Sequence, residues 1–261
     1  MINENALRSA DHVMSLHEHL KQYPRIGVAF SGGVDSSYLL YAAKAAGCDV
    51  RAYLIKSQFQ PQFEIEDAVR LADTVGVPLT VGTLDALCDP NVASNPPDRC
   101  YYCKSAILGK LWELARADGI EVLFDGSNAD DDEADRPGMR AQREQGVVSP
   151  LRECGLTKSD IRRLSKQAGL FTHDKPSYAC LATRVPAGTH ITEDILRKIE
   201  YAEGALFGMG FSDFRIRFMT PDGAKLQMPA AQWDSAAAQR TEILAALREH
   251  FNSVVLDLEV R

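Results

Sequence analysis

The first half of the chain alternates short apolar runs with amphipathic segments. The apolar runs predict five strands, at 26–30, 50–55, 79–84, 122–125 and about 147–151. Between them, apolar positions recur at helical spacing, which predicts helices at 36–46, 64–75 and 104–117. Strands that alternate with helices indicate βαβ units. The pattern therefore predicts an α/β fold, with a parallel sheet, right-handed crossovers and helices on both faces.

The pattern changes after about residue 185. Five further elements are predicted there: a helix at 192–207, strands at 214–219 and 225–228, a helix at about 230–250 and a strand at 254–260. This αββαβ order is typical of a small α+β domain. We therefore divide the chain into residues 1–184 and residues 185–261.

Two connections in the first half are too long to be simple turns. They span residues 85–103 and 126–146, and each follows a predicted strand. Long irregular connections inside a compact domain usually carry function. Ligands of open parallel sheets bind beyond the carboxyl ends of the strands, so both connections are expected on the ligand side.

A candidate anion-binding turn joins the first predicted strand to the first predicted helix. It reads Ser-Gly-Gly-Val-Asp-Ser-Ser, at residues 31–37. The glycines permit a tight turn, and the following helix directs free N–H groups at an anion. The segment lacks the GxxxxGK[ST] pattern of the Walker loop, and the alternative is a glycine-rich turn with a serine cap. The predicted phosphate-binding residues are Ser31, Gly32, Gly33, Asp35, Ser36 and Ser37, and Asp35 can also hold Mg²⁺.

This segment resembles the pyrophosphatase-loop signature of the ATP pyrophosphatase superfamily, whose enzymes adenylylate a substrate oxygen and release pyrophosphate. A second segment, DGSNADD followed by Asp135, Arg136 and Pro137, resembles a motif of one branch of that superfamily. That branch is the LarE family, the ATP-dependent sulfur transferases that make the nickel-pincer cofactor of lactate racemase. The likeness continues through GVVSPLREC (146–154), KSDIRRLSKQAGL (158–170), KPSYACLATR (175–184) and FRIRF (214–218).

The resemblance implies a Rossmann-like fold of the adenine nucleotide alpha hydrolase-like type. It also implies that the second segment binds Mg-ATP, through Gly126, Ser127, Asn128 and Asp131. The family's substrate is a pyridinium dicarboxylate mononucleotide, in which a carboxylate is adenylylated and converted to a thiocarboxylate. The family forms homo-oligomers, which we expect of this chain as well.

Six cysteines offer candidate chemistry. Cys100 and Cys103 form a CxxC pair in the first long connection, and Cys180 lies in KPSYACLATR. One interpretation is that they are ordinary thiols, as we assume for the other three cysteines, and another is a zinc site completed by His173 or His190. A third is a 4Fe-4S cluster, which usually has four cysteine ligands and would here have three. The other three cysteines are Cys48, Cys88 and Cys154.

The resemblance favours the cluster. Some LarE proteins carry only the cysteine equivalent to Cys180 and give up its own sulfur, which leaves dehydroalanine. Others also carry the CxxC pair and hold a 4Fe-4S cluster that delivers sulfide. Since this chain has the pair, Cys100, Cys103 and Cys180 are the expected cluster ligands.

Several charged residues are candidates for the remaining chemistry. Lys104 and Arg184 lie close to the cysteines in sequence and could stabilise the developing phosphoryl charge, although both could also be solvated surface cations. The resemblance implies an acidic catalytic residue in the 192–207 helix, where Glu203 is favoured over Glu200. Either glutamate could equally belong to a charged helix face.

Alternation along FRIRF separates two kinds of side chain. Phe214, Ile216 and Phe218 share one face and are predicted to lie in the core. Arg215 and Arg217 share the other face, and the resemblance places the substrate phosphate near such arginines. The alternative is a solvated strand face that happens to carry two cations.

Composition bounds the choice of partner. The chain has 261 residues with 29 basic and 36 acidic side chains, a net charge of −7, whereas nucleic-acid binders usually carry a basic surplus. No apolar run approaches about 18 residues, so no membrane span is expected. The polar N-terminal segment lacks a signal-peptide core, which favours the cytoplasm.

We therefore predict a cytoplasmic sulfur transferase that acts on a small-molecule nucleotide, with no nucleic-acid or membrane partner. Three alternatives stay open. The first is a tRNA thiolase of the same superfamily, which can use a similar three-cysteine cluster. The second is an ATP-dependent amidating ligase, which needs no cysteines. The third is a non-catalytic iron or zinc protein.

Overall fold

The computed structural model describes residues 15–131 and 137–259. Its strands are β1 (Arg25–Ala29), β2 (Asp49–Lys56), β3 (Leu79–Thr83), β4 (Leu123–Phe124), β5 (Arg215–Met219), β6 (Gly223–Gln227) and β7 (Ser253–Leu256). Its α-helices are α1 (Leu16–Leu20), α2 (Val34–Ala45), α3 (Gln62–Val75), α4 (Pro90–Ala93), α5 (Arg99–Ala117), α6 (Pro137–Glu144), α7 (Pro150–Glu153), α8 (Lys158–Gln167), α9 (Glu193–Gly208), α10 (Trp233–Ala238) and α11 (Arg240–Arg248). Among these ranges, no helix is long and apolar enough to cross a membrane.

The first sheet has the strand order β3-β2-β1-β4, and all its pairs are parallel. This confirms the predicted α/β architecture. The fifth predicted strand, at 147–151, is wrong: a single bridge joins Phe124 to Val148, and α7 begins at Pro150. Proline has no N–H for a strand ladder and fits the first turn of a helix, so it ends the pairing there.

Helices cover both faces of this sheet, as predicted. On one face, apolar side chains of β1 and β2 pack against α2, α3 and α8, with Val28, Leu54, Leu39, Ala68 and Ile161 among the fully or nearly fully buried members. On the other face, α5 packs against β2 through Tyr53, Ile55, Leu108, Leu111 and Ala115. Successive strand residues point to opposite faces, so β2 supplies side chains to both cores.

The second sheet has the order β5-β6-β7, with an antiparallel β5/β6 pair and a parallel β6/β7 pair. The predicted αββαβ order is confirmed, except that the helix expected at about 230–250 is divided into α10 and α11 at Gln239. Phe214, Ile216 and Phe218 are buried in the core, as the alternation predicts.

The core of the second sheet extends across residue 185. It includes buried side chains from the first part of the chain, namely Phe59, Ala86, Val92, Leu181 and Ala182. The predicted boundary between residues 1–184 and 185–261 therefore marks a change of sheet, while the hydrophobic packing is continuous across it.

Candidate active site

The serine- and glycine-rich turn closes tightly between β1 and α2. Gly32 has a φ of +74°, and a Cβ there would lie 2.9 Å from the Cβ of Ala68, so both conformation and space favour glycine. Ser36 Oγ donates to the Gly33 carbonyl at 3.2 Å. Gly33 is the N-cap of α2 and provides no side-chain cap. The first N–H groups of α2 are therefore available to an anion, as the sequence predicts for phosphate.

The second predicted ATP segment lies directly against this turn. A Cβ on Gly126 would lie 2.7 Å from the backbone nitrogen of Ser36, so only glycine permits this approach. Asp125, with 3% of its surface exposed, organises the segment by accepting hydrogen bonds. Its donors are Ser127 N and Oγ, Ser149 Oγ and Gln142 Nε2.

The rest of this segment folds back on itself. Asn128 N donates to Asp131 Oδ2 at 3.0 Å, and Asp130 N donates to Asn128 Oδ1 at 2.9 Å. Asp135 and Arg136, two of the residues that carry the resemblance, lie outside the described residues. The structure thus brings Gly126 and the α2 turn together, and the predicted ATP contacts of Ser127, Asn128 and Asp131 stay predictions.

Asp35 pairs with a lysine that sequence analysis did not single out. Lys158 Nζ, from the first residue of α8, lies 2.5 Å from Asp35 Oδ2. Burial raises the pKa of Asp35, and the Lys158 charge opposes that rise. The other carboxylate oxygen, Oδ1, is buried and has no hydrogen-bond partner within the described part of the chain. A carboxylate oxygen of this kind is a ligand that Mg²⁺ prefers.

A cavity of about 280 Å³ connects the turn to the cysteine segment. Its lining includes Ser31, Gly33 and Asp35, and it also includes Tyr178 and Cys180. The structure therefore places the predicted phosphate site and one predicted sulfur-bearing residue on the walls of the same space. Only the fold brings these two groups together, because they are separated in sequence by some 145 residues, about the length of a whole domain.

A second lysine, Lys175, lines the same cavity. Its Nζ lies 3.0 Å from Glu64 Oε1 and 2.9 Å from Asp67 Oδ2, both on α3. Burial raises the pKa of Glu64, whereas the Lys175 charge lowers it. Arg162 of α8 donates to the Lys175 carbonyl at 2.8 Å and so fixes the backbone at this point. Both Lys158 and Lys175 begin segments that carry the family resemblance, which is the signal that could have identified them.

The CxxC pair lies on a helix, not in the connection where it was expected. α5 begins at Arg99, five residues before the predicted start at 104, so Cys100 and Cys103 lie on its first turns. The Arg99 N–H donates to the Pro96 carbonyl at 3.0 Å, which starts the helical turn. Periodicity failed here because DRCYYC lacks an apolar stripe, although Arg99 at the start of the helix is buried.

The three cysteines form one electrostatic group. Burial raises the pKa of Cys103 to about 12, and the charges of Cys180 and Cys100 add to the rise, while Arg99 and Lys104 oppose it. Cys100 is exposed, and Cys103 and Cys180 are half-buried. Within residues 15–131 and 137–259, no group of three or more His, Cys, Asp or Glu side chains is arranged to hold a single metal ion.

Among the described residues, this arrangement supports neither the zinc site nor the cluster. His173 Nδ1 lies 2.9 Å from the Leu170 carbonyl oxygen, and its Nε2 lies 4.0 Å from Asp174 Oδ2. Neither His173 nor His190 joins the three cysteines in a metal-binding group among the described side chains.

Arg184 and Glu203 form a buried ion pair beneath the cysteine segment. Arg184 Nε lies 2.9 Å from Glu203 Oε1, and both side chains are at most 1% exposed. Glu203 also accepts from Ile216 N at 2.9 Å and from the Tyr178 hydroxyl. Arg184 Nη1 donates to the Cys180 carbonyl at 3.3 Å. The pair holds the backbone around Cys180, and its predicted catalytic roles stay predictions.

The two strand arginines hold the same segment from the second sheet. Arg215 Nη2 donates to the Ser177 carbonyl at 2.7 Å, and Arg217 Nη1 donates to the Thr183 carbonyl at 2.6 Å. Their predicted contact with a substrate phosphate stays a prediction. Glu200, the less favoured glutamate, instead accepts from the backbone N–H of Gln62 at 2.8 Å and joins α9 to α3.

The chain is similar in sequence to several known proteins. Residues 13–131 match the asparagine synthase family model. The pyridinium-3,5-bisthiocarboxylic acid mononucleotide synthase of Lactiplantibacillus plantarum is 34% identical over 215 residues, which cover 82% of this chain and 78% of that protein. An uncharacterized protein of Synechocystis sp. is 34% identical over 220 residues, with 82% of each chain covered.

More distant similarity reaches the tRNA-modifying enzymes. A tRNA-specific 2-thiouridylase of Pseudothermotoga lettingae is 29% identical over 189 residues, which cover 58% of this chain and 54% of that enzyme. The longer matches cover 82% of the chain at 34% identity, and this level of identity and coverage establishes membership of a family. The chain belongs to the LarE family of ATP-dependent sulfur transferases, within the ATP pyrophosphatases that share the Ser-Gly-Gly-Val-Asp-Ser-Ser loop.

Proposed function

We propose that the chain uses Mg-ATP to adenylylate a carboxylate of a pyridinium dicarboxylate mononucleotide and converts that carboxylate to a thiocarboxylate. The observation that carries the proposal is the cavity shared by the α2 turn and Cys180. The Lactiplantibacillus plantarum relative is named as the synthase of a bisthiocarboxylic acid mononucleotide of this type.

The need for ATP follows from the leaving group. A carboxylate oxygen leaves poorly, whereas AMP bound to that oxygen leaves readily when sulfur attacks the carbonyl carbon. Phosphoryl charge that develops in this step is stabilised by preorganised cations and N–H donors. The cavity offers Lys158, Lys175 and the N-terminus of α2 for that purpose.

Asp35 fits a magnesium ion because one buried oxygen of its carboxylate has no donor among the described residues, and because Asp35 lines the cavity beside Ser31 and Gly33. Lys158 provides the compensating charge for this carboxylate in the structure. With Mg-ATP bound, we propose that Lys158 shifts its hydrogen bond toward a phosphate oxygen.

The cysteines fit an iron–sulfur cluster by their chemistry. Thiolates are the usual protein ligands of such clusters, and three thiolates leave one iron without a protein ligand. Cys100, Cys103 and Cys180 would hold a 4Fe-4S cluster, which supplies the sulfide when bound. The Arg184–Glu203 pair and Tyr178 fix the backbone around Cys180, which lines the same cavity as the phosphate-binding turn.

A two-part assay tests the proposal. Pyrophosphate release should require both ATP and the pyridinium dicarboxylate mononucleotide, and mass spectrometry should detect the thiocarboxylate product. Cys180→Ala should retain substrate-dependent pyrophosphate release and lose thiocarboxylate formation. Release that does not respond to any carboxylate substrate would count against the adenylylation step.

The sulfur donor is tested on anaerobically purified protein. A cluster predicts a brown chromophore and about four irons per chain. Cys100→Ser should lose iron, and the matched control Cys88→Ser should keep it, because Cys88 is not one of the proposed ligands and donates to Asp85. Stoichiometric zinc in a colourless protein would overturn the cluster. Metal-free protein that loses the mass of one H₂S at Cys180 on turnover would establish a sacrificial cysteine.

Similarity to the 2-thiouridylases makes a tRNA thiolase the second candidate. The net charge of −7 disfavours it, because phosphate contacts supply most of the affinity for tRNA. Salt-sensitive, micromolar retention of bulk tRNA in filter binding would favour this candidate. An amidating ligase, by contrast, predicts that Cys180→Ala keeps full activity.

Two further properties follow from the family. We propose that the chain works in the cytoplasm, where its free thiols persist, and that it forms a homo-oligomer. Light scattering of the purified chain tests the second property, and a monomeric mass across the micromolar range would refute it.

A further inference from the structure

One buried charge near the cysteines has no part in the proposed reaction. Arg99 is the first residue of α5, and only 6% of its surface is exposed. Arginine side chains are almost never this deeply buried unless they are paired, because a desolvated charge is unfavourable. The contacts of Arg99 therefore indicate what the site is built to hold.

The guanidinium of Arg99 has unusual neighbours. Throughout the part of the chain that the structure describes, no carboxylate lies within ion-pair distance of it. Its Nη2 donates to Cys100 Sγ at 3.7 Å, and its Cζ lies 5.6 Å from the centre of the Phe59 ring. A neutral thiol is a weak acceptor, so these contacts do not compensate a buried positive charge.

The charge of Arg99 also acts on the second cysteine of the pair. Burial is the main cause of the raised pKa of Cys103, and Arg99 is the first of the groups that oppose the rise. The guanidinium therefore lies close to the cysteine pair and directly contacts Cys100 Sγ. An anion bound beside Cys100 would supply a countercharge that no described carboxylate provides.

We propose that Arg99 is a positioning residue that binds anionic sulfur at the three-cysteine site. The site then accepts small sulfur anions, such as hydrosulfide, in preference to neutral molecules of similar size. What that sulfur does next depends on the proposed function, but the charge preference of the site does not.

The test compares two alkylating reagents of similar size, anionic iodoacetate and neutral iodoacetamide, on the reduced, metal-free full chain. Mass spectrometry gives the rate at exposed Cys100 for each reagent at one pH. The ratio of the two rates reports the local potential, because thiolate fraction and accessibility affect both reagents alike. In Arg99→Gln this ratio should fall about three- to tenfold, the effect expected of one nearby charge in a partly solvated site.

Two comparisons make the result specific. Arg99→Lys keeps the charge and should keep the ratio near the wild-type value, whereas Cys88 in the same samples should show an unchanged ratio in every variant. If Arg99→Gln does not fold, the wild-type ratio at Cys100 should still fall as salt screens the cation, and Arg99→Lys should show the same salt response.

A different pattern would overturn the inference. If Arg99→Gln changes both rates equally, Arg99 acts only through packing. The same conclusion would follow if the wild-type ratio at Cys100 equalled the ratio at Cys88 and did not change with salt concentration. Because the assay uses neither ATP nor iron, its failure is distinct from a failure of the proposed sulfur transfer.

Discussion

The two ends of the cavity are built in different ways. At the nucleotide end, a short stretch of backbone between β1 and α2 provides the donors, and glycines at 32 and 126 provide the space. At the cysteine end, side chains from α9, β5 and the 175–184 segment hold one another through buried charges. Backbone donors are present in any sequence that folds this way, whereas a buried charge network fails when one member is lost.

This difference predicts that single substitutions at the cysteine end have the larger effects. Glu203→Ala leaves Arg184 buried without its carboxylate, and breaking a buried ion pair in this manner is destabilising by about 3–5 kcal/mol. Denaturant unfolding measures this loss. Glu200→Ala is the matched control on the same helix, since Glu200 makes one exposed hydrogen bond to Gln62. Equal losses of unfolding free energy in Glu203→Ala and Glu200→Ala would contradict the predicted sensitivity of the cysteine end.

Tyr178→Phe gives the next largest effect. It removes only the hydroxyl that donates to Glu203 and keeps the ring, which contacts Phe63 and stacks on Arg184. A hydrogen bond to a charged group contributes about 1.5–3 kcal/mol. Unfolding free energies should show this loss, and Tyr201→Phe, whose hydroxyl donates to exposed Glu249, should change stability by less than about 0.5 kcal/mol.

Gly126→Ala probes the nucleotide end. The added Cβ would lie 2.7 Å from Ser36 N, and overpacking of this kind is destabilising by about 1–3 kcal/mol. Because the strain falls on the α2 turn, ATP affinity measured by calorimetry should also fall. The control is Gly204→Ala in α9, where a Cβ meets nothing within 4 Å, and it should stabilise the helix by about 0.5–1 kcal/mol.

Lys158→Met should have the smallest effect on stability, because its ion pair with Asp35 is partly exposed and such pairs contribute about 1 kcal/mol or less. The effect of this substitution on the pH dependence of Mg-ATP affinity is the sharper test. Burial already raises the pKa of Asp35, and removal of Lys158 raises it further. The carboxylate that we propose to bind Mg²⁺ is then protonated at a higher pH, so Mg-ATP affinity should decline at a higher pH than in the wild type.

Calorimetric titrations of Mg-ATP across mildly acidic pH measure this shift. Lys166→Met, on the exposed side of the same helix, is the matched control and should follow the wild-type curve. A curve for Lys158→Met that coincides with the wild type would show that Asp35 does not govern metal binding.

Elements with continuous apolar runs were predictable from sequence. β1, β2 and β3 lie within one residue of their predicted bounds, because strands of a covered parallel sheet are apolar on both faces. The start of α5 and the absence of a strand at 147–151 were not predictable from periodicity. The start of α5 lies in a segment without an apolar stripe, and Pro150 begins a helix where the strand was predicted.

The candidate site was likewise only partly predictable from the sequence. The α2 turn could be recognised because its function requires consecutive residues in a fixed order. The ion pair of Arg184 with Glu203 could not, because its partners lie on separate elements and a charged side chain is ordinarily expected at the surface. Lys158 and Lys175 begin segments that carry the family resemblance, but periodicity and composition do not separate them from solvated lysines, and the fold brings them to the cavity.

The hydrophobic core that runs past residue 185 limits how such proteins can be recombined. Phe59 and Val92 precede the boundary in sequence, yet both are buried among side chains of the second sheet. A chimera that joined one relative's first 184 residues to another's C-terminal part would therefore mix two halves of a single core. A chimera that keeps this core intact requires the 57–61 and 86–93 segments to come from the same relative as the C-terminal part.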